Sequence, residues 1–421
     1  MESKMNTLAH SISDEESILD EHGLASVTLT VYWSDNRADH EEQMHVEKLS
    51  VWREADILPA DIGENIAGMQ AGDVAETKLD PGEFIEPWEP CREIATKPSR
   101  FDRHHRRGLE VEPRTGRFYP QGFFQGVRGI YKDAVDPSRI TGLTQDRMEV
   151  DLNHPLARCP IRVKFHLDQV LPGYDRRGGR CTSPLDDLLR YPGLAAPLAN
   201  GQDTDYADEV SGMARMDERR DQSFYANPRL VQHLDARALE TVNGLYRRLI
   251  PAQSEVLDLM ASFDSHINGV TPAKLHLLGM NAEELAANPA AHNHVVQDLN
   301  ETPILPFESN CLDAVVCTAS IEYLTRPALV LAETLRVLRP GGVFIITFSN
   351  RWFPSKAIRI WSELHEFERV GMVTQWLQQS GFDRLGTFSS RGWPRPEDDP
   401  YAGETSISDP VYAVFGYKPE D

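Results

Sequence analysis

The stretch ILPFESNCLDAVVCTASIEYLTRPALVLAETLRVLRPGGVFIITFSN, Ile304 to Asn350, holds two short, almost wholly apolar runs, LDAVVCT and GVFIITF. An amphipathic segment, PALVLAETLRVL, stands before the second. Strands that read apolar throughout belong to a parallel sheet covered on both faces, and parallel neighbours need a crossover of helical length between them. The LRPGG junction supplies Pro340 as a helix stop and glycines for a left-handed turn into the next strand. Outward from this stretch the texture repeats. EVLDLM, KLHLLGM and HVVQDL are further apolar runs, ARALETVNGLYRRLI has helical spacing, and FDRLGTFSS with DPVYAVFGYK reads as a hairpin-like edge. Residues 221–418 are therefore expected to form an α/β unit around a parallel sheet.

In such a sheet a ligand lies beyond the carboxyl ends of the strands, with an acidic or amide side chain about 20 residues after the first turn holding a ribose. Asp258 ends the first apolar run and Asn281 the second, with Asn281 a neutral substitute for the usual carboxylate. Asp298 ends the third, placed to accept from an adenine amino group with Leu299 against the ring. The turn after Asp258 reads MASFDSH and contains no glycine. Ala261 and Ser262 are the small residues left for close backbone approach, and Ser265 is expected to cap a short helix stopped early by Gly269 and Pro272. His266 is the candidate general base. Tyr225, Arg229, Glu322, Tyr323, Asn350 and Arg351 are the candidate substrate contacts, the arginines suiting a carboxylate or phosphate.

The PF, the D-x-V and the LRPGG of the opening stretch resemble the second half of a class I S-adenosylmethionine-dependent methyltransferase of the small-molecule branch. The resemblance covers roughly residues 221–418. SFYANPRLVQHLD, GMNAEELAANP, FSNRWFPSKAI and DPVYAVF resemble an atypical branch lacking the glycine-rich motif I, in which a serine- and histidine-containing turn replaces it. The resemblance implies a Rossmann-like fold, S-adenosylmethionine as cofactor, and Asp258, Ala261, Ser262, Asn281, Asp298, Leu299 and Ser320 as its contacts. Methyl transfer to a small molecule is the function it implies.

The first half is β-rich. SVTLTVYW, EQMHVEKLSVW and the two runs in MEVDLNHPLARCPIRVKFHLDQVL suggest a small antiparallel unit. VDLNHPLARCPIRVKFHLDQV and ADIGENIAGMQAGDVAETKLDPGEF resemble an FKBP-type peptidyl-prolyl isomerase of the bacterial chaperone subtype over residues 25–172, with an inserted flap at about 87–147. Tyr32 and Phe84 would match aromatics of its pocket. The family's histidine-rich metal-binding tail is missing, and no metal is expected. The expected architecture is thus two-domain, an FKBP-like α+β domain followed by a Rossmann-like methyltransferase fold. An acidic, disordered tail at 1–24 would precede them and a Gly/Pro/Asp-rich linker at 173–220 would join them. A peptide or protein partner would act through the first domain. The competing reading is an isomerase or chaperone-type binding protein with a degenerate methyltransferase fold.

Composition narrows the partners. Forty-three basic against sixty-five acidic residues give a formal charge of −22, which repels nucleic acid and anionic membrane surfaces. Five scattered cysteines without a CxxC pair signal neither a disulfide framework nor a zinc site, and a cytoplasmic setting is expected. The basic run FDRHHRRG reads as a solvated loop, and His154 as a turn residue.

Overall fold

The computed structural model describes residues 18–54, 57–105, 110–172, 183–208 and 210–420. The N-terminal part contains β1 (Leu24–Ser34), β2 (Ala38–Ser50), the single-turn helices α1 (Val51–Glu54) and α2 (Ala60–Gly63), and β3 (Val74–Leu79). Then come β4 (Glu93–Thr96), β5 (Phe118–Pro120), β6 (Pro137–Leu143), β7 (Met148–Asp151) and β8 (Ile161–Leu171). Short helices α3 (Pro184–Leu189) and α4 (Asp221–Phe224) lead to α5 (Ala236–Leu249). The C-terminal part continues with β9 (Glu255–Leu259), β10 (Lys274–Gly279), α6 (Ala282–Ala287), β11 (Asn293–Val296), β12 (Leu312–Thr318), α7 (Pro327–Val337) and β13 (Leu338–Phe348). It ends with α8 (Arg359–Glu363), α9 (Glu366–Gln379), β14 (Asp383–Arg391) and β15 (Val411–Tyr417).

The apolar runs of the second half become parallel strands in the order β11-β10-β9-β12-β13; β15 then pairs antiparallel with β13, and β14 antiparallel with β15. β12 and β13 are buried almost end to end, as a doubly covered sheet requires. α7 stops at Val337, three residues before Pro340, and Gly341 takes φ +76° inside a register shift of β13. The expected stop and left-handed turn are both present, but they sit within the strand.

The sheet does not end at β14. β2 pairs parallel with it from Leu385↔Ala38 to Arg391↔Met44, and the order runs on through β1, β8 and β3, giving one sheet of eleven strands. An unpaired strand edge invites association with other chains; here the edge of one half covers that of the other. Across the seam, Glu42 is bonded to Ser389 and His40 Nδ1 lies 2.8 Å from Thr387 Oγ1, all four residues being buried. The two halves, expected as an FKBP-like and a Rossmann-like unit, therefore share one sheet.

The two runs around NHPLAR are both strands but enter different sheets. β8 lies beside β1, whereas β7 joins β4, β6 and β5 in a separate four-stranded sheet with its own core of Phe101, Phe123, Phe124, Ile140, Met148 and Val150. That sheet leans on the second half through Arg117, whose guanidinium meets Glu368 of α9 at 3.2 Å, both side chains 4% exposed.

Two expectations about connecting segments change. Of the 173–220 linker, residues 173–182 and 209 lie outside the described residues, while stretches of the rest are packed. Leu185 and Leu188 of α3 are fully buried against the first core, and Gln375 of α9 accepts from Thr204 N at 2.9 Å. Alternating Leu and Pro anchors hidden among Gly and Asp make this a strap. Of the 1–24 tail, residues 1–17 lie outside the described residues, but Leu19 is fully buried and its N–H donates to Met69 O at 2.8 Å. The last three residues of FDRHHRRG also lie outside the description. His154 accepts from Leu156 N at 3.1 Å, and burial pushes its imidazole down to about 4, a turn residue kept neutral.

Candidate active site

The carboxyl ends of β9, β10, β12 and β13 border a cavity of about 560 Å3, lined by residues between Asp221 and Tyr401. That volume falls in the range of small-molecule and cofactor sites. Its floor is the turn after β9. Asp258 is 3% exposed, burial pushes its carboxyl up to about 7, and the Ser265 hydroxyl donates to it. Met260 then takes φ +62°, a left-handed conformation usually left to glycine and costing other residues about 1–2 kcal/mol. Met260 and Phe263 line the cavity without closing it.

The glycine-free turn packs directly on the second strand of the parallel sheet. Ala261 N donates to Leu278 O at 2.8 Å, and the Ala261 carbonyl sits so near Gly279 that a Cβ at 279 would stand 2.2 Å from it. The obligatory glycine belongs to the second strand. Side chains of and after α6 complete the turn. Ser262 Oγ donates to Glu284 at 2.6 Å, Glu284 also accepts from Arg229 N at 2.7 Å, and Asn288 Nδ2 donates to Ser265 Oγ at 2.9 Å. The short helix expected after the turn is not formed, and Ser265 caps nothing. Its hydroxyl is used between Asp258 and Asn288, and the chain stays irregular to Ala273.

Asn281 lines the cavity, but its amide is spent. Oδ1 accepts from Glu283 N and Glu284 N at 2.9 and 3.1 Å as the cap of α6, and Nδ2 donates to the carbonyls of Tyr225 and Ala226. It is a positioning residue that ties α6 to the segment before β9, not the free ribose acceptor that was expected. Asp298 and Leu299 both line the cavity at the end of β11. Burial raises the Asp298 carboxyl, whose Oδ1 accepts from Asn300 N at 2.8 Å. Ser320 also lines it, donating to Thr318 O at 2.9 Å.

His266 lines the cavity at φ +53°, its Nδ1 3.3 Å from Asp264. The hydrogen bond from His266 holds the Asp264 carboxyl well below the usual range, and Gln232 adds a second donor at 2.7 Å. Of the candidate substrate contacts, Tyr225, Arg229, Tyr323, Asn350 and Arg351 line the same cavity. Glu322 does not. On the tight turn Ile321–Tyr323 its neighbour Tyr323 reaches the cavity, while Glu322 is 1% exposed and pushed up to about 7 by burial.

Sequence reading missed two parts of the site. Asp221, 5% exposed, accepts from Arg215 Nη1 at 2.7 and 2.8 Å and from Asn300 at 2.9 Å, and Lys356 Nζ lies 3.0 Å away. This buried group fastens the segment before β9 against the cavity; in MDERRDQ nothing distinguishes the buried acid from its solvated neighbours. His233 also lines the cavity, edge-on to Phe353 at 5.3 Å, and burial lowers its imidazole so that it stands neutral. Arg229 is packed in aromatic rings, 4.6 Å over Phe224 and 5.1 Å over Phe353.

Residues 255–346 match the family model described as a methyltransferase domain. Over 94 residues the chain is 35% identical to a protein of Mycolicibacterium smegmatis named as a probable S-adenosylmethionine-dependent methyltransferase, covering 21% of this chain and 36% of that one. The chain thus spans about a third of the length of that curated relative. Among solved structures it is similar to an S-adenosylmethionine-dependent methyltransferase from Archaeoglobus fulgidus, at 14% identity and TM-score 0.31, covering 43% of this chain and 94% of that one. A second, from Mesorhizobium loti, gives 15% identity and TM-score 0.29 over 42% and 99% of the two chains. The matched segment is thus similar to a methyltransferase domain, and the curated relative it resembles is named for S-adenosylmethionine.

Proposed function

We propose that this chain transfers a methyl group from S-adenosylmethionine to a small molecule, with the N-terminal half as an FKBP-like accessory. The observation that carries the reading is the cavity at the carboxyl edge of β9, β10 and β12, strands that lie in the matched segment. The residues present fit the cofactor. Ala261 and Gly279, in close backbone contact with each other, both line the cavity, and Asp298 with Leu299 offers an acceptor beside an apolar wall suited to an adenine. When bound, the cofactor supplies a methyl on a sulfonium.

The chain's own task is positioning, since a well-oriented pair of reactants can gain about 7–11 kcal/mol. Asp221, held by Arg215 and Lys356, fixes the wall carrying Tyr225 and Arg229. His266, oriented by Asp264, and the neutral His233 are the groups able to accept a proton from an attacking hydroxyl, amine or thiol. Calorimetric titration with S-adenosylmethionine tests the reading: saturable binding is expected, and no heat with no thermal shift overturns it.

An FKBP-like accessory is supported by the antiparallel set β2-β1-β8-β3 with a second sheet inserted between β3 and β8. Its role in this reading is to hold β14 and to offer a surface to a peptide or protein. Tyr32, the expected pocket aromatic, is covered by the Arg162 guanidinium at 3.7 Å. A protease-coupled proline isomerisation assay on the full chain should therefore show no turnover.

A further inference from the structure

A cleft of about 450 Å3 adjoins the main cavity, and Asn350 and Arg351 line both. Three arginines, Arg351, Arg391 and Arg395, line the cleft together with one acid, Asp409. Arg395 is fully matched, meeting Asp409 at 2.5 Å, Asp399 at 3.0 Å and Asp235 at 3.3 Å. Asp409 is spent in turn, one oxygen on Arg395 and the other accepting from Asp235 N at 3.1 Å.

Among the described residues, the other two arginines lack a close carboxylate. Arg351 approaches Asp409 only to 3.7 Å and lies 4.4 Å over the Tyr401 ring. Arg391 donates to the Leu188 carbonyl at 2.7 Å, and its buried Nε has no hydrogen-bond partner among the described residues. The nearby Glu42 is engaged by Ser389, and burial pushes its carboxyl up to about 7. A buried guanidinium with an unmade N–H is costly, and its planar fork matches a carboxylate or phosphate.

We propose that the cleft between Arg351 and Arg391 is an anion subsite: the methyl acceptor carries a carboxylate or phosphate that docks there while its reacting atom reaches past Asn350 into the main cavity. This rests on the methyltransferase reading. It also gives the N-terminal half a part in recognition. Arg391 is held by the carbonyl of Leu188 and paired in register with Met44 of β2, and Gly392 abuts the His45 carbonyl so closely that a Cβ would stand 2.4 Å away.

The test is calorimetry on the full chain with sodium phosphate and, separately, sodium acetate at constant ionic strength, each with and without saturating S-adenosylmethionine. Saturable binding of one anion is expected, and which one binds tells phosphate from carboxylate. Cofactor should not compete with it. Arg351→Ala and Arg391→Met should each weaken it about tenfold, the loss of one charge-assisted bond. Arg384→Ala, outside the cleft, should not. Arg351 is one-third exposed, so its variant tests the site even where Arg391→Met fails to fold. Binding unchanged in Arg351→Ala, competition by cofactor, or no saturable response to either anion overturns the subsite. Cofactor binding is read in the same titrations, and its absence overturns the methyltransferase reading separately.

Discussion

Gly279 lies against the carbonyl of Ala261 so tightly that a Cβ on residue 279 would stand 2.2 Å from that oxygen and 3.0 Å from Leu285 Cδ2. The floor of the cavity is shaped by this contact. Gly279→Ala must displace the turn, costing about 1–3 kcal/mol of stability by overpacking and weakening cofactor affinity. Denaturant titration and calorimetry measure both, and parent-like values would show that the cradle is not built as described.

Asp258 supplies a pH test. Its folded carboxyl, raised by burial from 3.8 to about 7, holds a proton that the unfolded chain releases. The sign follows: stability is fully present below about 4 and falls as pH rises through about 7, by roughly 1 kcal/mol per pH unit for one such group. Glu42 and Glu322, also raised to about 7, add in the same direction. Asp258→Asn should make the decline shallower by about one proton's worth in urea unfolding between about pH 4 and 7. An unchanged slope would place the Asp258 carboxyl in water.

The buried pair Arg117–Glu368 joins the inserted sheet to α9, and Glu368 also accepts from Phe118 N at 3.1 Å. Removing one partner strands a buried charge. Glu368→Ala should cost about 3–5 kcal/mol. Because the two halves share a sheet, unfolding monitored on either half should move together. Separate transitions would mean that the seam does not couple them.

Asp298 and Asn281 should separate cleanly. Asp298→Ala should weaken cofactor affinity without unfolding the chain, and an unchanged affinity refutes the adenine assignment. Asn281→Ala should cost about 1 kcal/mol of stability from the lost cap of α6. Asn281→Asp retains the accepting oxygen but sets its second oxygen against the carbonyls of Tyr225 and Ala226, and should recover little of that in thermal melts.

The parallel strands and their helices were legible because apolar runs and helical spacing are local consequences of being covered on two faces or one. The ligand edge was legible for the same reason, since each of Asp258, Asn281 and Asp298 follows such a run. What those side chains bond to was not. Asn281 lines the cavity as expected yet spends its amide on a cap, and Glu322, two residues from Ser320, turns away.

The sequence by itself determined the order of strands and helices and the edge where chemistry gathers, because side-chain period and turn residues act over a few positions. Only the tertiary structure decided that Gly279 packs against the turn at Ala261, that Asp221 is the buried acid of its cluster, and that β2 completes the edge of β14. Those outcomes depend on which backbones meet. Ser389 and Glu42 are 347 positions apart, and no local pattern encodes such a pairing.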